Sequence, residues 1–261
     1  MSVPLDQALD MTGKVVIVTG GTKGVGRGIA LRFLDAGASV ITTARHEPPE
    51  PITSRTHEAS FIAADVRDPK QIAAVIAFAL EHGRLDGLVN NAGGSPMAEA
   101  ATASPRFSEA IIRLNLLAPL YFAQQANTVM QQQDDGGCIV NIGSLSGMRP
   151  SPWSAAYGAA KAGLLNLTQS LAIEWAPKVR VNCVSGGYIL TEQAELHYGD
   201  EAGVARVAET VPLRRLAEPT DIGDACLFLA SPLSRHISGA NLAIHGGGEP
   251  PPFLAAAGLR N

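Results

Sequence analysis

The run Val15-Val16-Ile17-Val18-Thr19 leads straight into Gly20-Gly21-Thr22-Lys23-Gly24-Val25-Gly26, after which Val25, Ile29, Ala30, Phe33 and Leu34 recur at helical spacing. Four consecutive β-branched apolar residues mark a strand buried on both faces, as in a parallel sheet. A glycine turn joining such a strand to an amphipathic helix is the opening unit of a dinucleotide-binding α/β fold. The glycines allow a tight turn and let the backbone approach a pyrophosphate with no Cβ in the way. The first N–H groups of the helix and its positive dipole end then face the phosphates. The spacing here is T-G-x-x-x-G-x-G rather than G-x-G-x-x-G, so the turn taken alone also fits glycines that merely close a strand-to-helix corner.

The rest of the chain has to decide. At 261 residues, 46% hydrophobic and 17% charged, it is long enough to bury a sizeable core, as one large α/β domain or two small ones. The formal net charge is −4 with no block of Lys or Arg, which argues against nucleic acid as a general partner. No apolar run reaches the length of a membrane span, and residues 1–10 lack the basic and apolar regions of a secretory signal. Cys138, Cys183 and Cys226 match no zinc or redox spacing and read as buried small hydrophobes in a reducing, cytoplasmic setting. The six scattered His residues form no metal motif.

Strands and helices alternate to the end. Strands are expected at 39–43, 61–64, 87–90, 138–142, 179–184 and 241–244, with helices from Pro69, over 105–132 with Asn115 in the middle, from Ala155, near 202–209 and from Pro219. The proline-rich stretch 46–58 reads as a loop standing where a helix would be expected. No linker divides the chain. The expectation is therefore a single domain over 1–261, a Rossmann-like doubly wound parallel sheet with helices on both faces, a polar and irregular lid over 188–216 and a proline-rich tail over 249–261, disordered or docked on a partner subunit.

Two groups of residues carry chemistry. At the end of the second strand, where an acid would bind the adenine ribose, stands Arg45, and Lys23 lies in the glycine turn; two cations and no acid favour a 2′-phosphate. Tyr157 and Lys161 are four residues apart on a helix and share a face. An ammonium there would lower the phenol's pKa by roughly 1–3 units from its ordinary value of about 10, bringing Tyr157 into general acid–base range, with Ser144 at the end of the fifth strand to hold a substrate oxygen. A Y-x-x-x-K pair alone is common on amphipathic helices.

Together, T-G-G-T-K-G-V-G over 19–26, Asp65-Val66, N-N-A-G over 90–93, Asn115, I-G-S over 142–144 and Y-G-A-A-K over 157–161 occur in one order along almost the whole chain, with Ser144 thirteen residues before Tyr157. The sequence resembles the short-chain dehydrogenase/reductase family in its compact form. The resemblance implies an oxidoreductase that moves a hydride between a nicotinamide cofactor and a ketone or secondary alcohol. It assigns Tyr157 as acid/base, Lys161 as its partner and a ribose ligand, Ser144 as the substrate-orienting hydroxyl and Asn115 as holder of a relay water. Gly20, Thr22, Lys23, Gly24, Val25, Gly26, Arg45, Asp65, Val66, Asn91, Ala92, Gly93, Gly187, Ile189 and Thr191 would line the cofactor together with Tyr157 and Lys161. NADP(H) is the expected cofactor, with NAD(H) as the alternative. A dinucleotide-binding regulator that has lost catalysis is the other alternative, and it predicts damage to a Ser–Tyr–Lys set that is intact here. The resemblance also implies a homotetramer or homodimer built on the helices at 105–132 and 155–174, and a small-molecule substrate with no nucleic acid or membrane partner. Met97, Met148, Trp153 and Tyr188 are expected at the mouth. The family's Pro-Gly after the sixth strand is Gly186-Gly187 here, which predicts a looser or differently angled exit from that strand.

Overall fold

The structure, a computed structural model, describes residues 4–55 and 57–258. The first three residues, one position of the 46–58 loop and the last three of the tail lie outside the described residues. The strands are β1 (Val15–Thr19), β2 (Ser39–Ala44), β3 (Ser60–Ala63), β4 (Gly87–Asn90), β5 (Gly137–Ser144), β6 (Val179–Gly186) and β7 (Asn241–Ile244). They form a seven-stranded parallel sheet in the order β3-β2-β1-β4-β5-β6-β7. This is the doubly wound α/β fold read from the sequence.

Side-chain alternation along β1 explains both layers. Val16 and Val18 point into a core formed with α1 (Gly24–Asp35) and α8 (Pro219–Ala230). Val15 and Ile17 point into the other, formed with α2 (Pro69–Glu81), α4 (Ala118–Met130) and α5 (Ala155–Glu174). A strand apolar at every position can satisfy two helical layers at once. The α2 start is set locally: Pro69 occupies the first turn, where its missing N–H costs nothing, and the Asp68 carboxylate accepts from the Lys70 N–H.

At the amino ends of the strands, Lys14 Nζ lies 3.1 Å from Asp86 and 3.8 Å from Asp135, and Arg84 Nη2 lies 2.6 and 3.3 Å from the same two carboxylates. At the carboxyl ends, the strand order reverses between β1 and β4 and opens a crevice. No helix of the described residues is long and apolar enough to cross a membrane, and all three cysteines are buried free thiols.

Several expected boundaries are corrected. The stretch 105–132 is not one helix: α3 (Pro105–Ile112) and α4 are separated by a π-helical turn over Arg113–Leu117. Pro119 has no N–H to donate to the carbonyl four residues back, that of Asn115, so the regular ladder must break there. The wider turn leaves the Asn115 side chain fully buried. Strand β6 runs on to Gly186 instead of ending at Val184, and Gly186 is paired with Ser144 of β5 and Ile244 of β7. The exit from β6 is thus tied on both sides rather than loosened. The described residues of the 46–58 segment form no helix, and the segment closes on itself through a Thr53–Glu58 bridge. The 188–216 segment has two helices where one was expected, α6 (Glu195–Tyr198) and α7 (Glu201–Thr210). The described part of the tail forms a short helix, α9 (Pro252–Ala256).

Candidate active site

A cleft of about 450 Å³ lies at the carboxyl ends of the strands. One side is the glycine turn, with Gly20, Lys23, Gly24 and Val25; one end is formed by Arg45, Asp65 and Val66; the floor is Asn91, Ala92 and Gly93. The other end holds Ser144, Tyr157 and Lys161, and the outer wall is Gly187, Ile189 and Thr191. Every cofactor and catalytic residue expected at the site therefore lines this cleft except Thr22 and the buried Gly26 and Asn115. A Cβ on Gly26 would lie 2.1 Å from the Gly20 carbonyl oxygen, so the helix can approach the turn this closely only without a side chain. The turn is shaped from β4: the Asn91 amide donates to the carbonyls of Thr19 (2.9 Å) and Gly20 (3.2 Å), while the Asn91 and Ala92 N–H groups donate to the Thr19 hydroxyl at 2.9 and 3.0 Å.

At the far end Ser144 and Tyr157 line the same wall of the cleft, and the Ser144 hydroxyl accepts from the Ser146 N–H at 3.1 Å. Lys161 is buried, its Nζ 5.6 Å from the centroid of the Tyr157 ring, and it donates to the Ile142 carbonyl at 2.7 Å. Burial lowers its pKa to about 8. Desolvation raises the Tyr157 pKa above its ordinary value, partly offset by the Ser144 hydroxyl. The expected lowering of the phenol by Lys161 is thus not found in the free chain: the ammonium turns to a carbonyl, and desolvation of the ring dominates. Asn115 clamps Gly94, accepting from its N–H at 2.8 Å and donating to its carbonyl at 2.9 Å. A Cβ on the adjacent Gly93 would come within 2.7 Å of Asn115 Oδ1 and 3.4 Å of Lys161 Nζ, so this glycine leaves the space between the two side chains and the cleft.

At the opposite end Arg67, which sequence reasoning missed, grips Asp65 with Nε to Oδ1 at 2.9 Å and Nη2 to Oδ2 at 2.6 Å. This pairing holds the Asp65 carboxyl down at about 2. The exposed Arg45 adds a weaker pull on the same group. On the outer wall the N–H of Gly24, first residue of α1, donates to the Glu192 carboxylate at 3.1 Å. Met97, Met148 and Trp153 are exposed, and neither they nor Tyr188, all four expected at the mouth, line the cleft. Tyr188 is half-buried, edge-on to Tyr198 with ring centroids 5.8 Å apart, and its hydroxyl donates to Glu249, which also pairs with Arg149 at 2.6 Å. Among the described residues no His, Cys, Asp or Glu cluster could hold a metal.

A family model described as enoyl-(acyl carrier protein) reductase matches residues 7–249. The chain is 34% identical to oxidoreductase UcpA of Escherichia coli over 254 residues, covering 92% of this chain and 96% of that one. It is 31% identical to the 2-dehydro-3-deoxy-D-gluconate 5-dehydrogenase of the same organism over 245 residues, covering 92% and 97%. The ligand-free structure of an aldohexose dehydrogenase from Thermoplasma acidophilum superposes with a TM-score of 0.84 at 33% identity, covering 91% of this chain and 94% of that one. The chain belongs to the short-chain dehydrogenase/reductase family.

As a short-chain dehydrogenase/reductase it is an oxidoreductase acting on CH–OH groups, in a family whose dehydrogenases use NAD(P) cofactors. The cleft suits such a group: the Cβ-free approach of Gly26 to Gly20 lets the start of α1 pack tightly on the turn beside it, and the cations Lys23 and Arg45 line it. Around it this family member carries a buried polar chain. Asn90 Nδ2 donates to Asn141 Oδ1 at 2.9 Å, Asn141 Nδ2 to Thr168 Oγ1 at 3.0 Å, and Thr168 Oγ1 to the Leu164 carbonyl at 2.8 Å, linking β4, β5 and α5 just behind the chemistry. Asparagine inside a buried apolar strand was the available signal for it.

Proposed function

We propose that this enzyme transfers hydride between NADP(H) and the carbonyl or secondary-alcohol carbon of a small molecule, with Tyr157 as acid/base, Ser144 holding the substrate oxygen, and Lys161 and Asn115 behind them. The observation that carries the proposal is the convergence of Ser144, Tyr157 and Lys161 at one end of the cleft, with the buried Lys161 ammonium 5.6 Å from the centroid of the Tyr157 ring. The bound nicotinamide supplies the hydride donor or acceptor. Tyr157 gives its phenolic proton to the nascent alkoxide in reduction and takes it back in oxidation. Ser144 fixes the oxygen between the two groups, and Lys161, released from Ile142 by a small side-chain movement, can reach ribose hydroxyls. Arg45 and Lys23 support NADP(H), because no carboxylate stands at the end of β2 to receive a ribose 2′-hydroxyl and a guanidinium suits a phosphate.

Two of the relatives are named for sugar or sugar-acid substrates, which supports a substrate panel led by aldoses and keto-sugar acids, with simple ketones and acyl thioesters as comparisons. Ile173 is 82% exposed on α5 and supports an assembly of two or four copies on that face. The test is turnover of this panel with NADPH by wild type, Tyr157→Phe and Ser144→Ala. Loss of roughly 10²–10⁴-fold in kcat for Tyr157→Phe is expected; turnover near the wild-type rate would remove the assignment.

A further inference from the structure

Helix α1 begins without a cap of its own. Lys23 stands at the N-cap and makes no side-chain hydrogen bond, and the first turn has no acidic residue. The leading N–H groups of such a helix need acceptors and carry the positive end of the dipole. One acceptor comes from 168 positions along the chain: Glu192 Oε2, 3.1 Å from the Gly24 nitrogen. Thr191 lies beside it, its Cγ2 3.6 Å from where a Cβ of Gly24 would be. Gly24 and Glu192 both line the cleft. The carboxylate therefore occupies an N–H that a phosphate oxygen would also seek, at the base of the segment that continues into α6 and α7.

We propose that Glu192 is a built-in competitor of the cofactor, latching the 188–216 segment to the glycine turn in the free enzyme and yielding Gly24 to the pyrophosphate on binding. The inference rests on the dinucleotide reading above. The two anions exclude each other at one N–H, so the free energy of the latch is subtracted from cofactor affinity. By the same linkage, cofactor binding frees the segment from the turn and lets it reseat over the substrate end. The latch is a single charge-assisted hydrogen bond at an exposed carboxylate, so its effect is moderate.

The experiment is a fluorescence titration of wild type, Glu192→Gln and Glu192→Ala with NADPH and NADH, paired with chymotrypsin cleavage at the exposed Leu196 and at Tyr198, without and with saturating NADPH. The alanine variant is expected to bind NADPH roughly three- to tenfold more tightly, with glutamine between it and wild type. Cleavage of the free variants is expected to be faster than that of free wild type, and the difference is expected to vanish with NADPH bound. Unchanged or weaker binding overturns the proposal. Tighter binding with unchanged cleavage also overturns it, because removing a charge near the phosphates would act through space without any latch. If wild type and both variants bind neither dinucleotide, the cofactor reading falls and the latch falls with it.

Discussion

Lys161 Nζ sits 5.6 Å from the centroid of the Tyr157 ring yet gives its hydrogen bond to the Ile142 carbonyl, 2.7 Å away. A buried ammonium facing a neutral carbonyl and a ring face has no counter-ion, which is why its pKa falls to about 8 from 10.5. The folded chain therefore releases this proton before the unfolded chain does. Between pH 8 and 10.5 the unfolded state binds more protons, so the contribution of Lys161 to stability rises with pH. The wild-type stability relative to Lys161→Met is expected to climb by up to about 3 kcal/mol across that window. Urea melts of both proteins at pH 7.5, 9 and 10.5 measure it, and a flat difference would show that the ammonium is better solvated than its burial implies.

The phenol has the opposite problem. Desolvation keeps Tyr157 protonated through neutral pH in the free enzyme. Carbonyl reduction, which consumes that proton, is expected to hold level in kcat/KM from pH 6 to 8, while alcohol oxidation, which needs the phenolate, climbs over the same range. Ser144→Ala removes the hydroxyl that draws the Tyr157 pKa back down and is expected to move the oxidation limb to higher pH besides slowing it. Initial rates in both directions across pH test this; parallel profiles would rule out a phenol as the shared group.

Cofactor choice turns on Arg45. A guanidinium meeting a phosphate dianion contributes a charge-assisted bond that a ribose hydroxyl cannot match. Arg45→Ala is expected to raise the Kd for NADPH roughly 10- to 100-fold and to change the Kd for NADH by less than about threefold. Calorimetry with each dinucleotide decides it, and equal losses would move the 2′-phosphate site elsewhere.

The Asn90–Asn141–Thr168 chain makes a stability prediction. In Asn141→Leu the Asn90 amide loses a buried acceptor 2.9 Å away and the Thr168 hydroxyl loses its donor. The expected cost is about 2–4 kcal/mol, and the double change Asn90→Leu/Asn141→Leu is expected to cost less than the sum of the singles. Denaturant melts with a double-mutant cycle measure both quantities, and strict additivity would mean that the two amides are not coupled.

The fold was legible because its signals are local and repeated: β-branched runs such as Val15 to Val18, and Pro69 and Pro219 at helix starts. The chemical residues were legible because T-G-x-x-x-G-x-G and N-N-A-G, each at a strand end, and Y-x-x-x-K on a helix follow one another in one order. What escaped was long-range. Arg67 reads as a surface charge until the fold brings its guanidinium back onto Asp65. Glu192 looks like one acid among several until the outer wall meets α1. The 105–132 helix breaks at a π-helical turn ahead of Pro119, a residue that apolar spacing along the stretch does not register. The direction of the Tyr157 shift was missed because spacing reports that Lys161 is near, not which acceptor it chooses.

The two edges of the sheet are chemically separate territories. Strands β1 to β6 deliver their carboxyl ends to the cleft, whereas the Lys14, Arg84, Asp86 and Asp135 ion network knits the amino ends with no residue in common with it. Heat tolerance and selectivity are therefore separable goals for engineering: salt bridges and tighter turns can be added along the lower rim while the upper rim is left to adapt to new substrates.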